Sequence, residues 1–268
     1  MRLISAWSLA FLAATTSSTR EILTIPSWAP VSTEAPRLNS TGYRIESFGG
    51  GAYMVTDNQC NCLFLVSTNG VMVVDAPPSI GHYIAYAIGN TTDKHITHFI
   101  YGHAHSDHVG SAFIFENATR IAHSITKGLL SVVPSADEPL PDLSYEGSNH
   151  RPGTIFISVP SQKVLMLVDV VFPRWAPFAY LGEAEDVPGF VRAHDEILQY
   201  SFDYFVGGHL TRSGTKADVV AQHEYINDLK TSCNDALTPQ QTAGIFWAGF
   251  KMYLDNVASY CNDVTNEK

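Results

Sequence analysis

Residues 101–108 read Tyr-Gly-His-Ala-His-Ser-Asp-His and follow an apolar stretch, Ile96–Tyr101, that has the pattern of a β-strand. Four potential metal ligands fall within six residues, namely His103, His105, Asp107 and His108. In a loop at a strand end, side chains two residues apart can converge on one ion, while neighbouring side chains turn toward a second. Because the chain has only 11 histidines in 268 residues, a chance cluster on a solvated loop is a poor explanation. Imidazoles and carboxylates suit Zn²⁺, and also Mn²⁺ or Fe²⁺.

Short β-type runs separated by turn residues precede this cluster. The predicted strands are Tyr43–Phe48, Ala52–Thr56, Cys62–Ser67 and Val71–Asp75. Asn69-Gly70 lies between two apolar runs and predicts a hairpin. A helical period over Ser79–Gly89 then leads to the strand before the cluster.

The second half repeats the alternation of strands and helices. The predicted strands are Gly153–Val159, Lys163–Val168 and Tyr204–Val206. The predicted helices are Val187–Tyr200, Thr215–Cys233 and Thr238–Cys261. No repeat of fixed period is present, so we expect one compact α/β domain with two sheets covered by helices.

Four further short motifs offer a histidine or an aspartate next to a predicted strand. They are Val73-Val74-Asp75, His150-Arg151-Pro152-Gly153, Leu167-Val168-Asp169 and Gly207-Gly208-His209. With the histidine cluster they resemble, in the same order, the motifs of the metallo-β-lactamase superfamily, whose signature is His-x-His-x-Asp-His. The resemblance covers roughly Tyr43 to Thr211 and departs from the usual pattern at Val168, where a glycine is common.

The resemblance implies a single-domain, four-layer αββα sandwich with two metal ions, in which Asp75 is a structural residue beside the metals. It implies that one metal is held by His103, His105 and His150 and the second by Asp107, His108 and His209. Asp169 would bridge the two ions. We expect two Zn²⁺, with Fe or Mn as possible substitutes.

The ligand set resembles that of the glyoxalase-like and lactonase-like branches. It differs from β-lactamases that use a cysteine at the second metal and from flavodiiron proteins that replace the second histidine by glutamate. The implied activity is hydrolysis of a lactone, lactam, ester or thioester by a metal-bridging hydroxide. A mononuclear iron dioxygenase acting on persulfides, on the same fold, is the alternative enzyme. A binding module without turnover is the third interpretation, and the complete ligand set argues against it.

Residues outside the metal ligands are weaker candidates. The aromatic segment 173–180 follows the Asp169 strand and could form one wall of an apolar pocket. Asp107 and Tyr180 are the candidate catalytic residues: Tyr180 resembles a tyrosine that polarises the carbonyl or protonates the leaving group in the lactonase branch, although a packing role is equally open. Arg212 is a weaker candidate for contact with a substrate carboxylate.

Charge and composition limit the partners. Lys and Arg number 16 and Asp and Glu 26, which gives a formal charge of −10. No window clusters the basic residues that a phosphate backbone requires, so nucleic acid is not expected as a partner. We expect a small carbonyl-containing substrate, while the oligomeric state is not predicted.

The N-terminus has the pattern of a secretory signal. A charged start, an apolar run of about a dozen residues and small residues after it predict a signal peptide over 1–19. A leader over 20–42 and the domain over 43–268 would follow, and no membrane span is expected. Three sequons and an even cysteine count agree with a secreted glycoprotein; the sequons begin at Asn39, Asn90 and Asn117. Cys233 and Cys261 are expected to pair, whereas Cys60 and Cys62 are expected to be core thiols.

Overall fold

A computed structural model describes residues 35–146, 153–177, 181–182 and 184–242, and all of them belong to one compact unit. The strands are β1 (Arg44–Gly49), β2 (Ala52–Thr56), β3 (Asn61–Ser67), β4 (Gly70–Val74), β5 (Ile96–Ile100), β6 (Thr119–His123), β7 (Leu143–Tyr145), β8 (Ile157–Val159), β9 (Val164–Met166) and β10 (Tyr204–Val206). The α-helices are α1 (Tyr83–Gly89), α2 (Ser106–Val109), α3 (Ser124–Val132), α4 (Val187–Ile197) and α5 (Lys216–Thr242). The predicted signal segment and most of the leader lie outside the described residues.

Two mixed sheets form the centre of the fold. The larger sheet has the order β1 to β7, with antiparallel pairs from β1 to β4 and parallel pairs from β4 to β7. The smaller sheet has the order β10-β9-β8, parallel between β10 and β9 and antiparallel between β9 and β8. The Asn69-Gly70 hairpin is confirmed, because it joins β3 to β4.

Three apolar clusters separate four layers of secondary structure. Val71 and Val73 of the large sheet pack with Ile84 of α1 on one face. Residues from the opposite face of that sheet, such as Met54, pack against Met166 of the small sheet. The far face of the small sheet packs on α4 and α5 through the third cluster, which contains Leu165 and Phe190. The order helix, sheet, sheet, helix is the predicted αββα sandwich.

Consecutive residues of one strand enter different clusters. In β9, Val164 and Met166 face the large sheet, whereas Leu165 between them faces the helices. This follows from the two-residue period of a strand, which points neighbouring side chains to opposite faces. Both faces are covered, so β9 is apolar throughout, which explains why its sequence lacks an alternating pattern.

Several predicted boundaries were wrong. The break between the last two helices is absent, since α5 runs without interruption from Lys216 to Thr242. Residues 234–237 contain neither glycine nor proline, so no residue there ends the helix. The remainder of the predicted second helix lies outside the described residues. Helix α1 begins at Tyr83 rather than at Ser79, after a turn in which Gly81 has φ +53°.

The cysteines of the described residues are free thiols. Cys60 and Cys62 are both buried and unpaired, as predicted. Cys233 is also free, and its predicted partner Cys261 lies outside the described residues. Over the part of the chain described here, no disulfide is found, and no helix is long and apolar enough to cross a membrane.

Candidate metal centre

Adjacent parallel strands bring the first candidate residues to one edge of the large sheet. Asp75 follows β4 and the histidine cluster follows β5, so both lie at the carboxyl ends of their strands. The Gly102 N–H donates to Asp75 Oδ1 at 2.6 Å, which fixes the start of the cluster loop. A Cβ on Gly102 would lie 2.5 Å from Asp75 Oδ2. Only glycine allows this close approach.

The first group of potential ligands combines the cluster with Asp169. His103 Nε2 lies 3.0 Å and His105 Nδ1 lies 3.4 Å from Asp169 Oδ2. One candidate atom from each of these residues lies within 4.8 Å of the others. His103 is 3% exposed. His150, predicted as the third histidine ligand here, lies outside the described residues.

The second group combines the cluster with the loop after β10. His209 Nε2 lies 3.3 Å from Asp107 Oδ2, and His108 Nε2 lies 3.5 Å from the same oxygen. The two imidazole Nε2 atoms are 2.9 Å apart. Asp107 is half exposed, whereas His108 is fully buried. The structure thus brings together the three residues predicted for the second metal.

Asp169 lies between the two groups. Its Oδ2 faces His103 and His105, while its Oδ1 lies 3.0 Å from His108 Nε2 and 3.2 Å from His209 Nε2. One carboxylate oxygen therefore faces each group, which is the arrangement that a bridging ligand requires. The residue has φ +61°, a left-handed conformation that aspartate tolerates better than most residues. The departure at Val168 therefore does not displace Asp169 from the centre.

Glycine next to His209 allows the loop to approach the cluster. A Cβ on Gly208 would lie 2.5 Å from His108 Cε1 and 3.0 Å from Asp169 Oδ1. The glycine before the last histidine is therefore needed for space.

The buried polar atoms of the centre are arranged as metal ligands rather than as hydrogen-bond partners of one another. His103 Nε2 and Asp169 Oδ1, which both face the ligand groups, are buried and make no well-formed hydrogen bond. Buried polar groups in proteins are normally paired. Their short separations without hydrogen-bond geometry are expected of lone pairs directed at a common point. The donor set of imidazoles and carboxylates therefore fits divalent metal ions.

The pKa values of the centre reflect the same crowding. Burial lowers the pKa of His103 to about 4, despite the nearby Asp169 carboxylate. Burial also opposes charge on His108, but Asp169 and the other carboxylates outweigh it and raise the pKa to about 9. For Asp169, burial is likewise outweighed by the surrounding histidines, which hold its pKa well below the usual range. Burial raises the pKa of Asp75 to about 7.

A cavity of about 500 Å³ opens at the centre. Its lining residues are Ala104, His105, Ser106, Asp107, Asp169, Gly182 and His209. Arg212 is not among them, and Tyr180 lies outside the described residues. A larger cleft of about 870 Å³ lies at the other end of β5, around Lys94 and Thr97, and contains none of the ligand groups found in the described residues.

One neighbour of the centre was missed in the sequence. Cys60, predicted to be an ordinary core thiol, has its sulfur 3.7 Å from His209 Nδ1. The two residues are 149 positions apart, and no local pattern connects them. Only the packing of the two sheets reveals the contact.

Comparison with known proteins agrees with this fold and ligand pattern. The family model described as the metallo-beta-lactamase superfamily matches residues 55–132, which include the histidine cluster. A metallo-beta-lactamase from Pontibacter korlensis is similar in structure, with TM-score 0.58 and 14% identity over 68% of this chain and 97% of that chain. DIM-1 metallo-beta-lactamase gives a TM-score of 0.57 and 17% identity over 71% of this chain and 97% of DIM-1. VMB-1 gives a TM-score of 0.57 and 14% identity over 68% of this chain and 95% of VMB-1.

No curated protein sequence matches the chain significantly. At identities of 14–17% the solved structures establish the fold alone. The family model and the His–Asp groups agree with it, and the resemblance predicted from the sequence is confirmed.

Proposed function

We propose that this chain, which has the fold and the histidine–aspartate pattern of the metallo-β-lactamase superfamily, is a hydrolase that uses two divalent metal ions, most simply zinc. The substrate class would be a lactone, lactam, ester or thioester. One observation carries the proposal: Asp169 directs one carboxylate oxygen at each of two ligand groups. A shared anionic ligand of this kind holds two cations close together.

The candidate ligand residues would form two sets, one for each ion. His103 and His105 would hold the first ion, and Asp107, His108 and His209 the second. When bound, such a pair supplies a water nucleophile at neutral pH and polarises a carbonyl group. Asp169 and Asp107 offset the positive charge, and the half-exposed Asp107 borders the cavity from which substrate would arrive.

The second ligand group favours the hydrolase over the alternative dioxygenase. A mononuclear iron enzyme would leave Asp107, His108 or His209 partly unused as ligands. In this chain all three converge within 4.8 Å.

The pocket supports a small substrate. Its lining combines the ligands with Ala104, Ser106 and Gly182, and no lysine or arginine is among its described lining residues. Beyond the two proposed ions, the described lining therefore offers no cationic side chain that would add to the binding of a phosphodiester or nucleotide. A β-lactam, suggested by the names of the similar structures, is one member of the carbonyl panel to be tested.

The decisive experiment combines metal analysis with activity. Purified chain should contain close to two transition-metal equivalents and hydrolyse at least one member of a panel of lactones, lactams, esters and thioesters. Chelation should abolish turnover, and added Zn²⁺ should restore it. One iron per chain with oxygen consumption on a persulfide would replace the hydrolase with the dioxygenase.

Export and glycosylation are part of the proposal. The asparagines of the three sequons, Asn39, Asn90 and Asn117, are all exposed, which supports their use if the chain enters the secretory route. Mature protein from its native host should begin between about Thr15 and Glu21. N-terminal sequencing that starts at Met1 would contradict export, and an unchanged mass after enzymatic deglycosylation would contradict glycan attachment.

A further inference from the structure

We propose that Cys60 is a positioning residue for His209, whose ring it holds so that Nε2 faces the second ligand group. This inference rests on the proposed function, because it concerns a ligand of the second metal.

The contact fits the form of the imidazole that binds metal through Nε2. Cys60 Sγ lies 3.7 Å from His209 Nδ1, and Nε2 on the other side of the ring lies 3.3 Å from Asp107 Oδ2. A ring that binds metal through Nε2 carries its proton on Nδ1. That N–H then donates to the sulfur. A hydrogen bond to the second ring nitrogen fixes both the tautomer and the ring orientation of a metal-binding histidine.

The backbone around Cys60 is joined directly to the loop that carries His209. Cys60 and His209 form an isolated antiparallel bridge. On one side the Asn61 N–H donates to Gly208 O at 2.8 Å, and on the other the Leu210 N–H donates to Gln59 O at 2.8 Å. These bonds hold the backbone of Cys60 against the backbone of His209, which keeps the thiol within reach of the imidazole.

The Asn61 side chain strengthens the same junction. It is fully buried, and its amide Nδ2 donates to Gly207 O at 2.9 Å and to His209 O at 3.1 Å. The β2–β3 turn thus holds the backbone of the loop through Asn61 and the ring through Cys60.

The β2–β3 turn is also held by hydrogen bonds to one of its own side chains. Asp57 Oδ1 accepts from the N–H groups of Gln59 and Cys60, both at 2.9 Å. A side chain that closes its own turn in this way reduces the freedom of the following residues. Cys60 consequently presents its sulfur from a rigid position.

The chain offers a matched control. Cys62 is also a buried free thiol, two residues further along in β3, but it packs in the cluster on the helix-covered face of the large sheet. Its nearest hydrogen-bond partner is Leu63 O. Removing it deletes the same atoms from the protein without removing a contact to His209.

The experiment measures zinc affinity for wild type, Cys60→Ala, Cys60→Ser and Cys62→Ala by competition with a chromophoric chelator. We expect Cys60→Ala to weaken the affinity for the second zinc equivalent by about tenfold and to leave the affinity for the first unchanged. Supporting contacts of this kind contribute about 10–100-fold to metal affinity, and sulfur is a weak acceptor. Cys60→Ser should recover part of the loss, and Cys62→Ala should bind both ions normally. The absorption of Co²⁺ at the second site should change in Cys60→Ala and stay as in wild type in Cys62→Ala.

Two outcomes overturn the inference while leaving the function intact. The first is a Cys60→Ala protein that binds both ions as wild type does. The second is an equal loss in Cys62→Ala, which would mean that any missing core thiol has this effect. A wild-type chain that takes up fewer than two zinc ions would instead refute the proposed function, so the two failures are distinguishable. Thermal unfolding of the metal-free variants verifies that each is folded.

Discussion

Two buried histidines of this protein have opposite surroundings. His194, between α4 and α5, is fully buried, with Nδ1 2.9 Å from Phe190 O and Nε2 2.8 Å from the Gln222 amide nitrogen. His103 in the metal centre is almost as buried, yet its Nε2, although 3.0 Å from Asp169 Oδ2, makes no well-formed hydrogen bond. Burial lowers the pKa of both imidazoles, so both are neutral at pH 7.

The difference separates a structural histidine from a ligand. A neutral imidazole has one donor and one acceptor, and His194 uses both within the protein. An unpaired buried polar atom costs about 1–3 kcal/mol, which a core residue would normally avoid. An unsatisfied Nε2 on His103 is therefore expected where an ion completes the site.

The satisfied histidine also supports the centre from a distance. Gln222, its partner, accepts from the Phe172 N–H at 2.8 Å and donates to Val170 O at 2.6 Å. These bonds secure the backbone directly after Asp169. The helix interface thus supports the backbone next to Asp169 without contacting its carboxylate.

The largest expected effect is that of His103→Ala. It should remove the first metal and abolish turnover, because His103 is a proposed ligand of that ion. The free energy of unfolding of the metal-free protein should change by about 1 kcal/mol at most, since the lost packing is offset by the loss of unpaired nitrogens. Metal analysis and denaturant unfolding test both parts, and a variant with two ions and full turnover would show that the site is wrongly assigned.

Asp169→Asn should be next in size. The substitution keeps the shape but removes the bridging charge, so metal affinity should fall and kcat/KM should drop at least about a hundredfold, or about 3 kcal/mol. Asp203→Asn, at an exposed ion pair with Lys163, is the control and should leave kcat/KM unchanged. Normal turnover by Asp169→Asn would contradict the shared-ligand geometry.

Gly208→Ala should have a moderate effect. The added methyl group would meet His108 and Asp169, so their positions must shift and kcat/KM should fall about tenfold, or about 1.4 kcal/mol. Gly89→Ala provides the comparison, because nothing lies within 4 Å of a Cβ there. Equal kinetics for the two variants would mean that the centre has more room than the structure gives it.

His194→Ala should have the smallest effect on activity and a large one on stability. A cavity and the unpaired Gln222 should lower the free energy of unfolding by about 2–4 kcal/mol, while two metals and near-normal kcat/KM remain below the unfolding temperature. His223→Ala is the control, because its ion pair with Asp195 is partly exposed and should contribute less than about 1 kcal/mol. Loss of metal from His194→Ala with the fold intact would remove the distinction between the two histidines.

The sequence predicted the strands of the first half almost to the residue. Ala52–Thr56 was predicted with its observed bounds, because turn residues delimit a short β-type run. In the small sheet, Tyr204–Val206 was also predicted with its observed bounds, whereas β8 and β9 are shorter than predicted, at Ile157–Val159 and Val164–Met166. Continuous apolar runs give no period from which a boundary can be read.

Most of the candidate ligands were also identified by sequence. The cluster over residues 103–108 is local, and its residue types alone indicate metal chemistry. His209 and Asp169 came from the resemblance, and the structure places both beside the cluster. His150 and Tyr180 remain predictions, since they lie outside the described residues.

Residue types and short spacings were enough to identify side chains that can bind metal and the loops that carry them, because ligand chemistry depends on both. That Asp169 faces both groups, that Cys60 touches His209 and that Gln222 satisfies His194 became evident only from the packed fold. The Cys60–His209 contact joins residues 149 positions apart, and the Gln222–His194 contact joins two helices. Such contacts follow from the packing of whole layers, and no spacing along the chain encodes them.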